Sequence, residues 1–343
     1  MKTYAAIYRN EIREKSSSGG VFSVLAGQFE VVYGVAMTKD CYGAEMIRVE
    51  TDISPLRSSK YLQAKMGDSF KRIREDLIIG KKVLFSGTGC QVNGLKSFLG
   101  KDYDNLICVD VVCHGVPSPK LWREYVRFQE SKHGKLEQIN FRAKEESWKK
   151  FGMKENQLYI PRGNDPFMNM FLDDFCLRPS CYKCRAKKFR LSDISIADFW
   201  GIEQVDPKMN DGLGTSLMIV RTEKGQKLFD SIKNKLDWKE VDYNDAVREN
   251  SAEYRSVIRP PQRDSFFYDL QSHSFNYMVK KYAPDAEKKR IKSLLRSVKN
   301  FMIKKFFGQP AGGALITNSN YGMLFYFQEN RFDVQTLKRS NKR

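Results

Sequence analysis

Apolar and polar positions along the first 130 residues alternate between short hydrophobic runs and longer amphipathic stretches. Val31–Met37, Val83–Ser86 and Leu106–Val112 are almost wholly apolar, and turn-forming or polar residues bound each of them. Runs of this length read as strands covered on both faces. Between them the apolar residues recur at helical spacing. Helices are predicted over Val21–Phe29, Leu62–Leu77 (Phe70, Ile73 and Leu77 on one face), Gln91–Leu99 and Pro119–Lys132. Pro119 suits a first helical turn, and Ser16–Gly20 reads as a loop carrying a helix N-cap. A strand–loop–helix rhythm of this kind predicts an α/β core.

Strand-like pieces follow at Ile139–Arg142, Ser195–Gly201 and Ser216–Arg221, with a helix over Glu223–Asn234. Towards the end, Ile291, Leu294, Leu295, Val298, Met302 and Phe306 fall on one face of a basic helix spanning Lys288–Phe307. Gln309–Gly313 reads as a linker, and the last thirty residues show no clear period. The expected organisation is a core over 1–250, a basic helical extension over 251–308 and a tail over 309–343.

Composition narrows the class. The chain has 343 residues, 41% hydrophobic and 29% charged, which suits a globular protein. No apolar run approaches the roughly 20 residues a spanning helix needs. The first residues lack the apolar stretch of a signal peptide. A cytoplasmic location is therefore expected, where disulfides are rare, and seven cysteines read as free thiols, metal ligands or catalytic groups. The net charge is +18. Fifteen Lys/Arg against four Asp/Glu lie from Lys280 onwards. A basic end of this kind attracts acidic proteins, nucleic acid or anionic lipid. No nucleic-acid module accompanies it, so nucleic acid is not the expected partner. The basic helix can lie on a lipid surface or simply pack with its charges solvated.

The cysteines carry the clearest chemistry. Cys181-x-x-Cys184 can place two thiolates on one zinc ion or iron–sulfur cluster. Cys90 and Cys113 each follow a buried strand and precede a helix, and α/β sheets gather their sites at such strand ends. From spacing alone, these two read equally well as ligands or as small buried side chains. Cys41 and Cys108 read as structural, and Cys176 is ambiguous. Ser16–Gly20 can bind phosphate at a helix start or serve as a plain cap. Gly87-Thr88-Gly89 allows close backbone approach to a ligand or makes a tight turn. Neither a dinucleotide-binding nor a P-loop glycine motif is present. His114 can donate a proton beside a cofactor; the blander reading is a loop histidine. Asp198 and Trp200 can touch a flavin by hydrogen bond and stacking, or be a strand-end acid and a core aromatic.

Seven motifs occur in order: Ser17-Ser18-Gly19-Gly20-Val21-Phe22-Ser23, Ser58-Ser59-Lys60-Tyr61, Gly87-Thr88-Gly89-Cys90-Gln91-Val92-x-Gly94-Leu95, Asp110-x-x-Cys113-His114-Gly115-Val116-Pro117-Ser118, Asn140-Phe141-Arg142, Arg178-Pro179-Ser180-Cys181-x-x-Cys184 and Ser192-Asp193-Ile194-x-x-Ala197-Asp198-x-Trp200-Gly201. Over about residues 4–235 this set strongly resembles the coenzyme F420 hydrogenase/dehydrogenase beta-subunit family. The resemblance implies a mixed-sheet flavin-binding α/β core with an inserted CxxC cluster loop, and an oxidoreductase using FAD and a [4Fe–4S] cluster. It implies Cys90, Cys113, Cys181 and Cys184 as cluster ligands. It also implies Ser18, Gly19, Gly20, Lys60, Tyr61 and Thr88 around the flavin; by their own chemistry Asp198 and Trp200 are expected as further flavin contacts and His114 as the catalytic residue. The acceptor would be an organic small molecule or a deazaflavin-like compound. Many bacterial members open with a ferredoxin-like segment that is missing here, so a separate electron donor such as a ferredoxin is expected. Gly89 stands where relatives usually carry proline. Asn318–Gly322 resembles the opening of polysaccharide pyruvyl transferases, which suggests a role in surface polysaccharide biosynthesis. The rival readings are a zinc-stabilised, non-catalytic binding protein and a degenerate electron-transfer subunit.

Overall fold

A computed structural model of the chain describes residues 1–286 and three further strand segments. The expected basic helix over 288–307 and the linker over 309–313 lie outside the described residues. The strands, in chain order, are β1 (Lys2–Tyr8), β2 (Val31–Met37), β3 (Ala44–Val49), β4 (Ala64–Lys65), β5 (Val83–Thr88), β6 (Leu106–Val111), β7 (Ile139–Ala143), β8 (Gly152–Glu155), β9 (Leu158–Pro161), β10 (Ile194–Asp198), β11 (Ser216–Val220) and β12 (Leu236–Glu240). The α-helices are α1 (Val21–Ala26), α2 (Ser69–Ile78), α3 (Gly89–Leu99), α4 (Pro119–His133), α5 (Pro166–Leu172), α6 (Ile202–Val205), α7 (Glu223–Ile232), α8 (Tyr243–Val247), α9 (Arg263–Ser272) and α10 (Phe275–Tyr282).

Nine strands form one mixed sheet in the order β12-β1-β11-β10-β6-β5-β2-β3-β4. The α/β class expected from the sequence is the one observed. Its centre, β10-β6-β5-β2, is parallel, and antiparallel pairs flank it on both sides. Strand alternation divides the core between two faces. Val32, Leu84, Ile107 and Val109 face α1 and α7. Val31, Tyr33, Val83, Phe85, Leu106 and Cys108 face α2 and α3. Both faces are dry because helices cover both, which is why these strands are unbroken apolar runs. Each buried large side chain contributes about 1.5–3 kcal/mol.

β7, β8 and β9 form a separate antiparallel sheet. It packs with α4, α5, α9 and α10 around Trp122, Tyr125, Phe141 and Phe167. Two expectations need correction. The predicted helix over Leu62–Leu77 begins only at Ser69, because Ala64–Lys65 instead pairs with β3. The Ser16–Gly20 loop caps α1 through Gly20 in the left-handed conformation, with no serine hydroxyl on the helix end.

The chain divides into two compact units, Met1–Glu287 and Lys288–Arg343. Within the second, strands β13 (Ile316–Asn318), β14 (Met323–Gln328) and β15 (Arg331–Thr336) form an antiparallel sheet.

Candidate functional site

The site begins at the carboxyl ends of β5, β6 and β10, the neighbours at the centre of the sheet. β5 runs into α3 without a loop. The Thr88 N–H donates to Gln91 Oε1 at 2.8 Å, closing the helix start, and Cys90 sits in the first turn, exposed. Its sulfur lies 3.1 Å from Thr88 Oγ1. β6 pairs Thr88 with Val111 and then delivers Cys113 and His114 beside it.

The CxxC arrives from elsewhere in the chain. Val116–Ser118 and Cys176–Arg178 pair like a short piece of sheet: the Ser118 N–H donates to Cys176 O at 2.8 Å, and the Arg178 N–H to Val116 O at 2.9 Å. That pairing sets the single-turn helix Pro179–Lys183, and with it Cys181 and Cys184, against the β6 loop. Cys90, Cys113, Cys181 and Cys184 then line one small cavity of about 30 Å³, with Lys187 and Arg190 in its wall. Among the described residues, no group of three or more His, Cys, Asp or Glu is set to hold a metal ion. Burial pushes the Cys113 thiol up to about 12, with the other three cysteines adding to the shift and Lys187 opposing it. Burial raises Cys181 as well. Cys41 and Cys176 are buried in the aromatic core, and Cys108 lies within β6. All three are away from that cavity.

A charge network underlies the cysteines. Asp110, fully buried, pairs with Arg190 at 2.6 Å. Arg190 also pairs with Glu253 at 3.0 Å, and Glu253 with Arg221. The Ser195 hydroxyl donates to Asp110. Lys187 Nζ donates to Cys113 O at 2.7 Å and to Ala252 O. Gly89 makes room for this network, since a Cβ there would stand 2.9 Å from Asp110 Oδ2.

Cys90, Cys113, His114, Gly115 and Val116 also border a second cavity of about 660 Å³, within the size range of cofactor sites. Ser18, Gly20, Lys60, Tyr61, Thr88, Asp198 and Trp200 line it. Gly19 stands behind the lining, pressed against Ala6 O and Ser216 N. The residues marked out in the sequence thus converge on two adjoining cavities, with His114 in the wall of both. The His114 ring is held by the Asp174 side chain, Nε2 to Oδ1 at 2.6 Å, and meets Phe171 edge-on.

Of the groups that line or support the large cavity, Arg142 and Lys144 are not marked as site residues by the sequence. Arg142, buried at its side chain, pairs with Asp198 at 2.6 Å, and its buried Nε has no hydrogen-bond partner among the described residues. Burial raises the Asp198 carboxyl, while Arg142 and Lys144 pull it back. Lys144 Nζ reaches three carbonyls, those of Arg13, Ser18 and Leu213, and burial lowers it to about 8. Lys60 is lowered to about 7 by burial. Ser17 ties the serine loop across the cavity, its Oγ accepting from the Ser59 N–H at 3.0 Å. Trp200 stacks on Trp148, ring centroids 5.0 Å apart.

Residues 80–245, which contain all four clustered cysteines, match the family described as the C terminus of the coenzyme F420 hydrogenase/dehydrogenase beta subunit. That match spans 166 of the 343 residues, a little under half of the chain. No curated protein matches the chain. Among solved structures, the chain is similar to one in the F420-reducing [NiFe] hydrogenase complex from Methanosarcina barkeri, with 16% identity, 84% of this chain and 90% of that chain covered, and a TM-score of 0.49. Among the described residues, no helix is long and apolar enough to cross a membrane.

Proposed function

We propose that this chain is a flavin- and iron–sulfur-dependent oxidoreductase, with Cys90, Cys113, Cys181 and Cys184 holding a [4Fe–4S] cluster and FAD in the adjoining large cavity. The observation that carries the reading is the convergence of four thiols from three separate segments on one cavity that shares its wall with a larger one. The donor set fits a cluster held by four thiolates. Four thiolates also suit a structural zinc ion, but such an ion needs no large cavity at its side, so the adjoining space favours the redox reading. Lys187 and Arg190 supply positive charge beside Cys113 and Cys181, whose thiols burial pushes up.

When bound, these cofactors would supply one-electron relay and two-electron reduction of an organic acceptor. The chain's own residues bind, orient and charge the site. Arg57, Arg142, Arg162 and Arg178 line the large cavity and give it a cationic wall, which suits a phosphate-bearing cofactor. Trp200, fixed by Trp148, offers a flat face, and Asp198 is held in place by Arg142. Asp174 fixes the His114 ring at the shared wall, where it can pass a proton to a substrate bound in the large cavity. The reading takes a small-molecule acceptor and a separate electron-carrier protein as partners.

Anaerobically purified protein should show flavin absorption and roughly four irons with matching sulfide per chain. Cys181→Ser should lose the iron, whereas Cys41→Ser should keep it. A colourless protein carrying one zinc and no flavin would overturn the proposal.

A further inference from the structure

The segment Arg178–Leu191 carries six Lys/Arg and no Asp/Glu. Within it Lys183, Arg185 and Lys188 are exposed, and none of the three has an ion-pair partner among the described residues. The same segment exposes two large apolar side chains, Phe189 at 72% and Leu191 at 50%. Single exposed apolar residues are ordinary, but the backbone that carries these two is anchored. Asn93 Nδ2 donates to Phe189 O at 2.6 Å, and Asn93 Oδ1 accepts from the Leu191 N–H at 3.1 Å. Asn93 lies three residues beyond Cys90 on α3, hence on the same face of that helix. The turn Arg185–Lys187 packs against α3 as well. Cys90 is the exposed member of the four converging cysteines. An apolar pair on an anchored backbone, a rim of positive charge with no ion-pair partner among the described residues and an exposed thiol of the cysteine cavity therefore lie together.

We propose that this surface, Arg185, Lys188, Phe189 and Leu191 beside Cys90, is the docking site of an acidic one-electron carrier protein. This rests on the cluster reading for its electron path and on charge complementarity for its partner. Transient electron-transfer contacts need only a small interface, at the low end of about 1,200 Å². An apolar centre with a charged rim is the usual plan for such a contact, and rim charge sets the association rate and its salt dependence. The transfer moves one electron per encounter, the carrier being oxidised and the cysteine-held centre reduced.

The test uses the full chain, anaerobically prepared, and an acidic [2Fe–2S] ferredoxin as probe. Binding is measured at low and high salt, and the rate of reduction by reduced ferredoxin is set against that by dithionite. The double variant R185E/K188E should weaken ferredoxin binding at least tenfold at low salt and flatten its salt dependence. Phe189→Ser should weaken binding at all salt concentrations. Both should leave dithionite reduction and iron content unchanged. Lys227→Glu, on the exposed side of α7, is the control and should change nothing. Wild-type protein that fails to bind, unchanged affinity in R185E/K188E, or equal weakening by Lys227→Glu would each overturn the surface. Iron and sulfide analysis on the same samples separates the two ideas. Iron-free protein that still binds through Arg185 and Lys188 keeps the surface and overturns the cluster reading.

Discussion

The Asp110–Arg190 pair allows a quantitative test of what holds the cysteine loops together. Asp110 is fully buried and the Arg190 side chain is 7% exposed, with a 2.6 Å contact between them. Arg190→Met would leave the Asp110 carboxylate with the Ser195 hydroxyl and no cation in contact, while Glu253 keeps Arg221. Two unit charges about 4 Å apart interact by about 4 kcal/mol at an effective dielectric of 20. Breaking a buried pair by removing one partner costs about 3–5 kcal/mol. A destabilisation of about 3–4 kcal/mol is therefore expected for Arg190→Met. Asp110→Asn alone should cost less, because a neutral amide needs no counter-charge. The double variant should be more stable than the sum of the two losses predicts, with a coupling of at least about 1 kcal/mol. Urea unfolding monitored by far-UV circular dichroism on the apo full chain gives all four stabilities, provided the slope with denaturant stays constant. A loss below about 1 kcal/mol for Arg190→Met, or strict additivity in the cycle, would refute the reasoning that this network is a buried, mutually dependent unit.

Gly19→Ala should cost about 1–3 kcal/mol or more, since its Cβ would fall 2.4 Å from Ala6 O and 2.6 Å from Ser216 N, both backbone atoms of the central sheet; a melting temperature within about 1 °C of wild type would contradict this. Lys60 gives a pH signature. Its folded value of about 7 lies below that of a free lysine, so the folded state disfavours the charge. The cost is fully present below about pH 7 and is relieved as pH rises towards the unfolded value. Stability of the apo protein should thus climb between about pH 7 and 10, and Lys60→Met should flatten that climb and raise stability at about pH 6. Parallel pH profiles for the two proteins would count against a desolvated Lys60.

What the sequence made legible, and what it hid, follows from how far each determinant reaches along the chain. Cys90 and Cys113 could be placed together because each closes a buried apolar run, and adjacent parallel strands share one end. The CxxC could be recognised but not located, because its position depends on Val116–Ser118 pairing with Cys176–Arg178, some sixty residues apart and without periodicity. β8 and β9 were invisible for a related reason: four residues each are too few for alternation to register. Arg142 sat in a recognised motif, yet its task depends on Asp198, fifty-six residues away. Lys144 looks like any surface lysine until the fold brings three carbonyls to its ammonium. Asp174 is a similar case, a loop acid whose partner His114 lies sixty residues earlier. The common thread is that ligand residue types announce themselves by chemistry and local spacing, whereas the groups that orient and charge them are chosen by tertiary contact. Arg190 shows the consequence. It touches Asp110 on β6, Glu253 in the turn before Cys184's partner Ser256, and the wall of the cysteine cavity. One side chain thereby couples the strand that delivers Cys113 to the loop that delivers Cys184, so its loss should loosen the cysteine set before it unfolds the sheet.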